Sequence, residues 1–182
     1  MDKFIFQKTN IAGPIIIESK ILKDNRGFFT ETYNLKDFKE GGISDKFVQD
    51  NCSFSRKNVL RGLHFQRAPY TMSKLVQCIS GEIFDVAVDL RPKSPSFGQW
   101  TSVVVSKKNK KMFYIPPGFA HGFCVTSESA RVMYKVSQYY YPKYDAGIKW
   151  NDPRLSIPWP CKKPVVSTKD ENLPLLTKLF PK

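Results

Sequence analysis

The clearest periodic pattern in the chain lies at residues 74–90, where side-chain character alternates with the period of two typical of β-strands. At residues 74–79, Leu75, Gln77 and Ile79 oppose Lys74, Val76 and Cys78. After Ser80 and Gly81, one face carries Phe84, Val86, Val88 and Leu90, and the other carries Ile83, Asp85, Ala87 and Asp89. The pattern predicts two strands joined by a tight turn.

Similar short apolar segments recur along the chain between turn-forming residues. They predict strands at 28–33, 47–54, 58–66, 101–106, 111–116, 121–126 and 131–140. A short helix is predicted at 34–42, with Asn34 as its N-cap and Gly41 or Gly42 at its end, and another at 173–180. Beyond Pro142 the chain reads as irregular. Strands without long intervening helices favour an all-β sandwich or barrel, and the absence of repeats or linkers predicts one domain, 1–182.

Composition supports an ordered domain outside the membrane. The 182 residues are 41% hydrophobic and 25% charged, and no apolar run approaches the roughly 20 residues of a membrane-spanning helix. The four cysteines form no CxxC motif, which argues against a zinc ribbon or a thioredoxin-type site. We therefore expect four reduced cysteines in a cytoplasmic protein, although two of them could still meet in the fold.

The net charge of +13 favours anionic partners, such as phosphorylated metabolites or nucleic acid. The densest basic run, KKNKK at 107–111, lies between two predicted strands and is expected to be a solvated hairpin tip. No nucleic-acid-binding motif accompanies the charge, so we expect no nucleic-acid partner.

Only two histidines are available for chemistry, His64 in VLRGLHFQ and His121 in IPPGFAHGF. Arg61 and His64 differ by three positions, so an ideal strand would point them to opposite faces unless a bulge forms at Gly62. There is no HxH motif, and the histidines are far apart in the chain, so we expect no metal site. A histidine that acts as an acid or base without metal is the better interpretation.

Eight segments, in order, carry a family resemblance. They are RGFFTETY, FVQDNCSFS, VLRGLHFQ, KLVQCISGEIFDVAVDLR, SPSFGQW, IPPGFAHGF, YKVSQYY and WNDPRLSIPWP. Together they resemble the dTDP-4-dehydrorhamnose 3,5-epimerases from about Arg26 to Asp170. The resemblance implies a cupin-type jelly-roll β-barrel with a few short peripheral helices.

The resemblance also implies the reaction. The substrate would be a dTDP-linked 4-keto-6-deoxyhexose, inverted at C3 and C5 without cofactor or metal. His64 matches the family's base, and Asp170 matches the carboxylate that orients it. Tyr134 matches the acid on the opposite sugar face, and Lys74 matches a lysine near the keto oxygen, where a cation stabilises an enolate.

Further positions match the family's binding residues. Arg26, Arg61 and Lys169 match cations around the diphosphate, His121 matches a sugar contact, and Glu31, Gln49 and Asn51 match polar contacts to the substrate. Phe28 is expected to lie against the base of the nucleotide, because it lies beside Arg26 in the sequence. Tyr140 and Asp145 lie where base or sugar recognition is tuned, and Asp145 replaces a glutamate that is frequent in the family. The family is typically a homodimer formed by strand exchange near the N-terminus.

Three alternatives stay open from the sequence. The first is a homologue that inverts one carbon only or takes another nucleotide sugar, since it would keep the same histidine, aspartate and tyrosine. The second is a non-catalytic β-barrel that binds polyanions through its positive charge. The third is a metal-dependent cupin oxygenase.

Overall fold

The structure is a computed structural model that describes residues 3–181. The single domain predicted from the sequence, 1–182, therefore extends beyond the described residues at both ends. The strands are β1 Phe4–Lys8, β2 Ile15–Ser19, β3 Leu22–Asp24, β4 Gly27–Phe29, β5 Gln49–Arg56, β6 Leu60–Gln66, β7 Lys74–Ser80, β8 Glu82–Asp89, β9 Trp100–Ser106, β10 Met112–Ile115, β11 Phe119–Val125, β12 Ser129–Val136 and β13 Asp145–Gly147. The helices are α1 Leu35–Glu40, α2 Thr168–Glu171 and α3 Leu176–Leu179, with a 3₁₀ turn at Pro142–Tyr144.

Two antiparallel sheets pack face to face. One has the strand order β1-β2-β10-β7-β12-β5, and the other has the order β13-β6-β11-β8-β9. A separate hairpin is formed by β3 and β4. Double-sheet packing of this kind is the jelly-roll arrangement, which confirms the predicted all-β fold with short peripheral helices.

The main hydrophobic core lies between the two sheets, and its members come from both of them. Ile83, Ala87 and Phe123 meet Val76 and Val132 there, all buried. A second cluster around Val86, Val88 and Leu63 covers the outer face of the five-stranded sheet. The faces predicted for residues 82–90 are therefore confirmed, and both are buried because short C-terminal segments cover the outer one.

The turn predicted at Ser80 and Gly81 is present, but the strands it joins do not pair with each other. β7 pairs with β10 and β12, whereas β8 pairs with β9 and β11. Gly81 has φ +80°, and a Cβ there would lie 1.9 Å from the Ser129 carbonyl oxygen. A glycine is therefore needed where the chain passes from one sheet to the other.

Other sequence predictions need correction. The basic run at 107–111 is not a hairpin tip, because β9 and β10 belong to different sheets. β1 and β2 were not predicted, and residues 30–33 are not a strand, since β4 ends at Phe29. Helix α1 begins as predicted, and the Asn34 side chain accepts hydrogen bonds from the Lys36 and Asp37 amides. The predicted helix at 173–180 is confirmed only for α3.

The prediction of four reduced cysteines is wrong for one pair. Cys124 on β11 and Cys161 form a disulfide, while Cys52 and Cys78 are free. Cys124 and Cys161 pack with Leu60 in a small buried cluster. The sequence separation of 37 residues gave no sign of the pairing. Within residues 3–181, no helix is both long and apolar enough to cross a membrane.

Candidate active site

A polar cleft opens between the two sheets next to the main core. It consists of two adjoining cavities of about 330 and 320 Å³. Both are lined by His64, Lys74, Tyr134 and Lys169. Three of the four residues predicted to be catalytic therefore border both cavities, and the fourth, Asp170, lines the second.

An irregularity in β6 brings Arg61 and His64 to the same cleft. His64 pairs with His121, but Arg61 pairs with Phe123, so three steps along β6 match two steps along β11. The extra residue is a bulge, as the sequence allowed for at Gly62. Gly62 has φ +135°, and a Cβ there would lie 2.5 Å from the Gly122 Cα. Only glycine fits this close approach of two strands.

His64 is held by a buried carboxylate. Its Nε2 lies 2.6 Å from Asp170 Oδ1, and Asp170 Oδ2 accepts a hydrogen bond of 3.2 Å from the Gly62 amide. Asp170 is buried in α2, whose N-cap is Ser167. Burial alone would raise the pKa of the Asp170 carboxyl, but its interactions with His64 and Gly62 outweigh burial and lower it. An ionised Asp170 therefore fixes Nε2–H as the donor, which leaves the lone pair of His64 on Nδ1.

Tyr134 lies on the facing wall. It belongs to β12 in the six-stranded sheet, whereas His64 belongs to β6 in the other sheet. Burial raises the pKa of the Tyr134 hydroxyl, against the opposing effect of the Arg61 charge. Tyr134 is therefore protonated at neutral pH and able to donate a proton from the side opposite to His64.

Lys74 and His121 belong to the same two walls, Lys74 on β7 in the six-stranded sheet and His121 on β11 in the five-stranded sheet. The Lys74 ammonium donates to the His64 carbonyl at 3.4 Å, and burial lowers its pKa to about 8. At pH 7 about nine-tenths of Lys74 is still charged. His121 Nε2 lies 2.6 Å from Asp85 Oδ1, and burial lowers the pKa of this imidazole. This part of the cleft thus holds the Lys74 cation and a second histidine, His121, that is neutral at pH 7.

The outer part of the cleft is polar and carries half of the predicted binding residues. Tyr140 donates to Asp145 Oδ2 at 3.0 Å, and Lys169 forms an ion pair with the same oxygen. Gln49 donates to Asn51 at 2.9 Å on the β5 side. Arg61 lines the inner cavity, and its Nε donates to Ser55 Oγ at 3.0 Å.

No metal-binding cluster accompanies these groups. Among the side chains of residues 3–181, no group of three or more His, Cys, Asp or Glu is placed to hold a metal ion. Asp170 and Asp85 each bind a different histidine.

Comparison with known proteins assigns the family. The profile of the dTDP-4-dehydrorhamnose 3,5-epimerase family matches residues 8–178. This chain belongs to that family. The enzyme of that name from Salmonella typhimurium is 52% identical over 171 residues, which cover 93% of each chain. The resemblance inferred from the sequence motifs is therefore confirmed.

Solved structures agree with the fold. The crystal structure of dTDP-6-deoxy-D-glucose-3,5-epimerase from Legionella pneumophila, in complex with dTDP-4-keto-L-rhamnose, matches with a TM-score of 0.92 and 48% identity over 96% of this chain and 93% of that one. A 3′-monoepimerase from Streptomyces bikiniensis, in complex with dTDP-quinovose, matches with a TM-score of 0.88 and 30% identity over 94% and 87%. The chain is an isomerase of the epimerase type.

Three residues predicted to bind substrate do not line the cleft of this epimerase chain. Arg26 is exposed at the β3–β4 turn and pairs with Asp24 at 2.6 Å. Phe28 is 55% exposed, with the Lys110 ammonium 3.8 Å from its ring centroid. Glu31 pairs with Lys3 at 2.8 Å. Within one chain these three residues lie apart from the two cavities, because the hairpin that carries Arg26 and Phe28 is a separate two-stranded sheet. Their roles in binding stay predictions.

The structure also adds residues to the site that the sequence did not single out. They are Ser53, Phe65, Gln66, Met72, Phe123, Val136 and Ser167 in the cleft wall, and Asp85 behind His121. For Asp85 a signal existed. It is an acidic residue between the core side chains Ile83 and Ala87 on one face of β8.

Proposed function

We propose that this epimerase inverts C3 and C5 of dTDP-4-keto-6-deoxy-D-glucose to give dTDP-4-keto-L-rhamnose. One observation carries the proposal: a His64–Asp170 pair and Tyr134 face each other from opposite sheets across one cleft. Epimerisation needs a base and an acid on opposite faces of the sugar ring, and family membership supplies the substrate class.

Each inversion moves one proton off the sugar and another onto it. Nδ1 of His64 takes the proton from the carbon next to the C4 ketone, and the electron pair of that C–H bond moves to O4 as an enolate. Tyr134 then donates its hydroxyl proton to the same carbon from the other face, and the enolate electrons form the new C–H bond. Exchange with solvent returns the proton of His64 to water and restores the proton of Tyr134.

The enolate needs a positive partner, and Lys74 provides it. Its ammonium contacts the His64 backbone carbonyl, and Lys74 lines both cavities. A charged hydrogen-bond donor that is already fixed in place stabilises an oxyanion strongly, because the site pays no reorganisation when charge develops. Arg61 and Lys169 at the cleft provide positive charge for the diphosphate.

We further propose that the active enzyme is a homodimer in which the β3–β4 hairpin of one copy reaches the cleft of the other. The exposed Phe28 and Phe29, together with the uncovered Arg26, support this arrangement. It would restore the binding roles of Arg26, Phe28 and Glu31 across the interface. Residues 1–182 would form one domain in each copy, and a cytoplasmic location stays a prediction.

A second candidate function is inversion at C3 only. The likeness to the 3′-monoepimerase over 94% of this chain favours it as the alternative, because the same fold carries out that reaction. The choice between one and two inversions depends on whether the sugar can present both carbons to His64.

Proton exchange distinguishes inversion at both carbons from inversion at C3 only. The enzyme is incubated with dTDP-4-keto-6-deoxyglucose in D₂O, and deuterium is followed by NMR. We expect label at both C3 and C5 and an L-configured product. Label at C3 alone would select the monoepimerase, and absence of label would refute the proposed substrate. Analytical ultracentrifugation of the wild type and of Phe28→Ala tests the dimer, for which a monomeric wild type is the contradicting result.

A further inference from the structure

The cleft contains two histidine–carboxylate pairs with the same geometry but different surroundings. Nε2 lies 2.6 Å from the carboxylate oxygen in both His64–Asp170 and His121–Asp85. The His64 side chain is 30% exposed, whereas that of His121 is 7% exposed and Asp85 is fully buried. Only the first pair is open enough to exchange protons with substrate and solvent, so the second pair needs another explanation.

Asp85 occupies a position that would ordinarily be apolar. It lies on the core-facing side of β8, between Ile83 and Ala87. His121 satisfies Oδ1, but Oδ2 is buried and has no hydrogen-bond partner among the described residues. A buried carboxylate with an unused oxygen is costly, so its presence calls for a use of its charge.

The use follows from the charges nearby. Lys74 lines the same cleft as His121, and the negative charge of Asp85 raises the pKa of Lys74, against the larger lowering by burial. His121 is neutral at pH 7 because burial lowers its pKa, so it does not cancel the Asp85 charge. The hydrogen bond from Nε2 leaves Nδ1 of His121 as an acceptor.

We propose that Asp85 is a positioning residue of the reaction: its carboxylate keeps Lys74 charged beside the sugar O4 and holds His121 as an acceptor for a sugar hydroxyl. The inference rests on the proposed function. It explains why a buried acid is placed behind the cleft although it does not line either cavity. Asp85 acts through Lys74 and His121 and does not touch the reacting atoms.

Several other titratable groups lie near Asp85, Lys74 and His121. The Asp85 charge acts directly on the pKa of His121 on β11 and on the pKa of Lys74 and Cys78 on β7. Other groups act on the same three pKa values: His64 on that of His121, Asp145 and Lys169 on that of Lys74, and Glu82 on that of Cys78. β9, the other neighbour of β8, contributes no titratable side chain. Asp145 also raises the pKa of Lys74, and Lys169 lowers it. Removal of the Asp85 charge should therefore be visible at Lys74 even though the site holds other charges.

The test removes the charge of Asp85 and keeps the shape of its side chain. Asp85→Asn retains an oxygen that accepts from His121, and Asp50→Asn is the control because it removes an exposed aspartate that pairs with Lys135. Lys74 is followed by NMR of ¹³Cε-labelled lysine, assigned with Lys74→Arg. We expect its pKa to fall by at least about one unit in Asp85→Asn and to stay unchanged in Asp50→Asn. An unchanged Lys74 titration in folded Asp85→Asn would overturn the proposal.

Activity gives a second readout. A fall of one unit from about 8 leaves Lys74 about one-tenth charged at pH 8 and about nine-tenths charged at pH 6. Deuterium exchange should therefore drop about fivefold at pH 8 and hardly at pH 6. Equal losses at both values would indicate a purely structural role. If the wild type shows no exchange, the proposed function fails, but the Lys74 titration still tests Asp85.

A third measurement applies if Asp85→Asn does not fold. The ¹³C carboxyl resonance of Asp85 is followed through the titration of Lys74 in the wild type and in Lys74→Met. We expect a shift with a midpoint of about 8 in the wild type that is lost in Lys74→Met. A resonance that stays constant across this range in the wild type would refute the coupling.

Discussion

Replacement of Asp170 by asparagine tests how Asp170 prepares His64 to act as the base. Asp170 uses one oxygen for His64 Nε2 and the other for the Gly62 amide. Asparagine has a single acceptor oxygen, so one of these hydrogen bonds is lost. If the oxygen stays with Gly62, the amide NH₂ faces Nε2 and moves the imidazole proton to Nδ1, the atom that must accept the substrate proton.

The size of the effect follows from the charge that forms during catalysis. When His64 takes a proton, it becomes an imidazolium in contact with Asp170. Two unit charges about 4 Å apart attract by about 4 kcal/mol at an effective dielectric constant of about 20. His64 is partly exposed, and screening reduces this value, so we take about 2–4 kcal/mol. The loss corresponds to a roughly 30- to 900-fold slower exchange.

The assay is the initial rate of deuterium incorporation at C3 and C5, measured for the wild type, Asp170→Asn and Glu171→Gln. Glu171 is the matched control, since it is the next residue of α2 and is exposed. Thermal melting establishes that each variant is folded. A folded Asp170→Asn that exchanges within threefold of the wild type would refute the role of the Asp170 charge.

Three further predictions follow from the cleft. His64→Ala should remain folded and exchange deuterium close to background in the same NMR assay; a near-normal rate would mean that another group is the base. Because the pKa of Lys74 is lowered to about 8, its ammonium is charged below that pH and neutral above it, so kcat/KM should fall as pH rises through 8. In Lys74→Arg the fall in kcat/KM should move to higher pH. A fall at the same pH would show that another group causes it. Gly62→Ala should lower stability by about 2–5 kcal/mol in denaturant titrations, because its Cβ meets Gly122 and the backbone has positive φ. Gly27 has a similar φ of +132° but no close contacts, so Gly27→Ala should cost less.

Much of the fold was available from local patterns. The alternation at 74–90 predicted two strands and their faces, and Asn34 predicted the start of α1, because these features depend on neighbours in sequence. The motif around His64 placed the base on a strand. Pairing was not predictable in the same way. β7 and β8 are adjacent in sequence but belong to different sheets, and the disulfide joins Cys124 to a distant segment.

The sequence by itself determined most of the strands, the family and the residue types available for proton transfer. Only the tertiary structure decided how they act together. Asp170 reaches His64 across 106 residues because α2 packs against β6, and the bulge at Gly62 turns Arg61 to the same side as His64. Asp85 gained its role only when β8 placed it behind His121. Such long-range contacts depend on how sheets pack, and burial, which sets the pKa of Lys74 and His121, exists only in the folded chain.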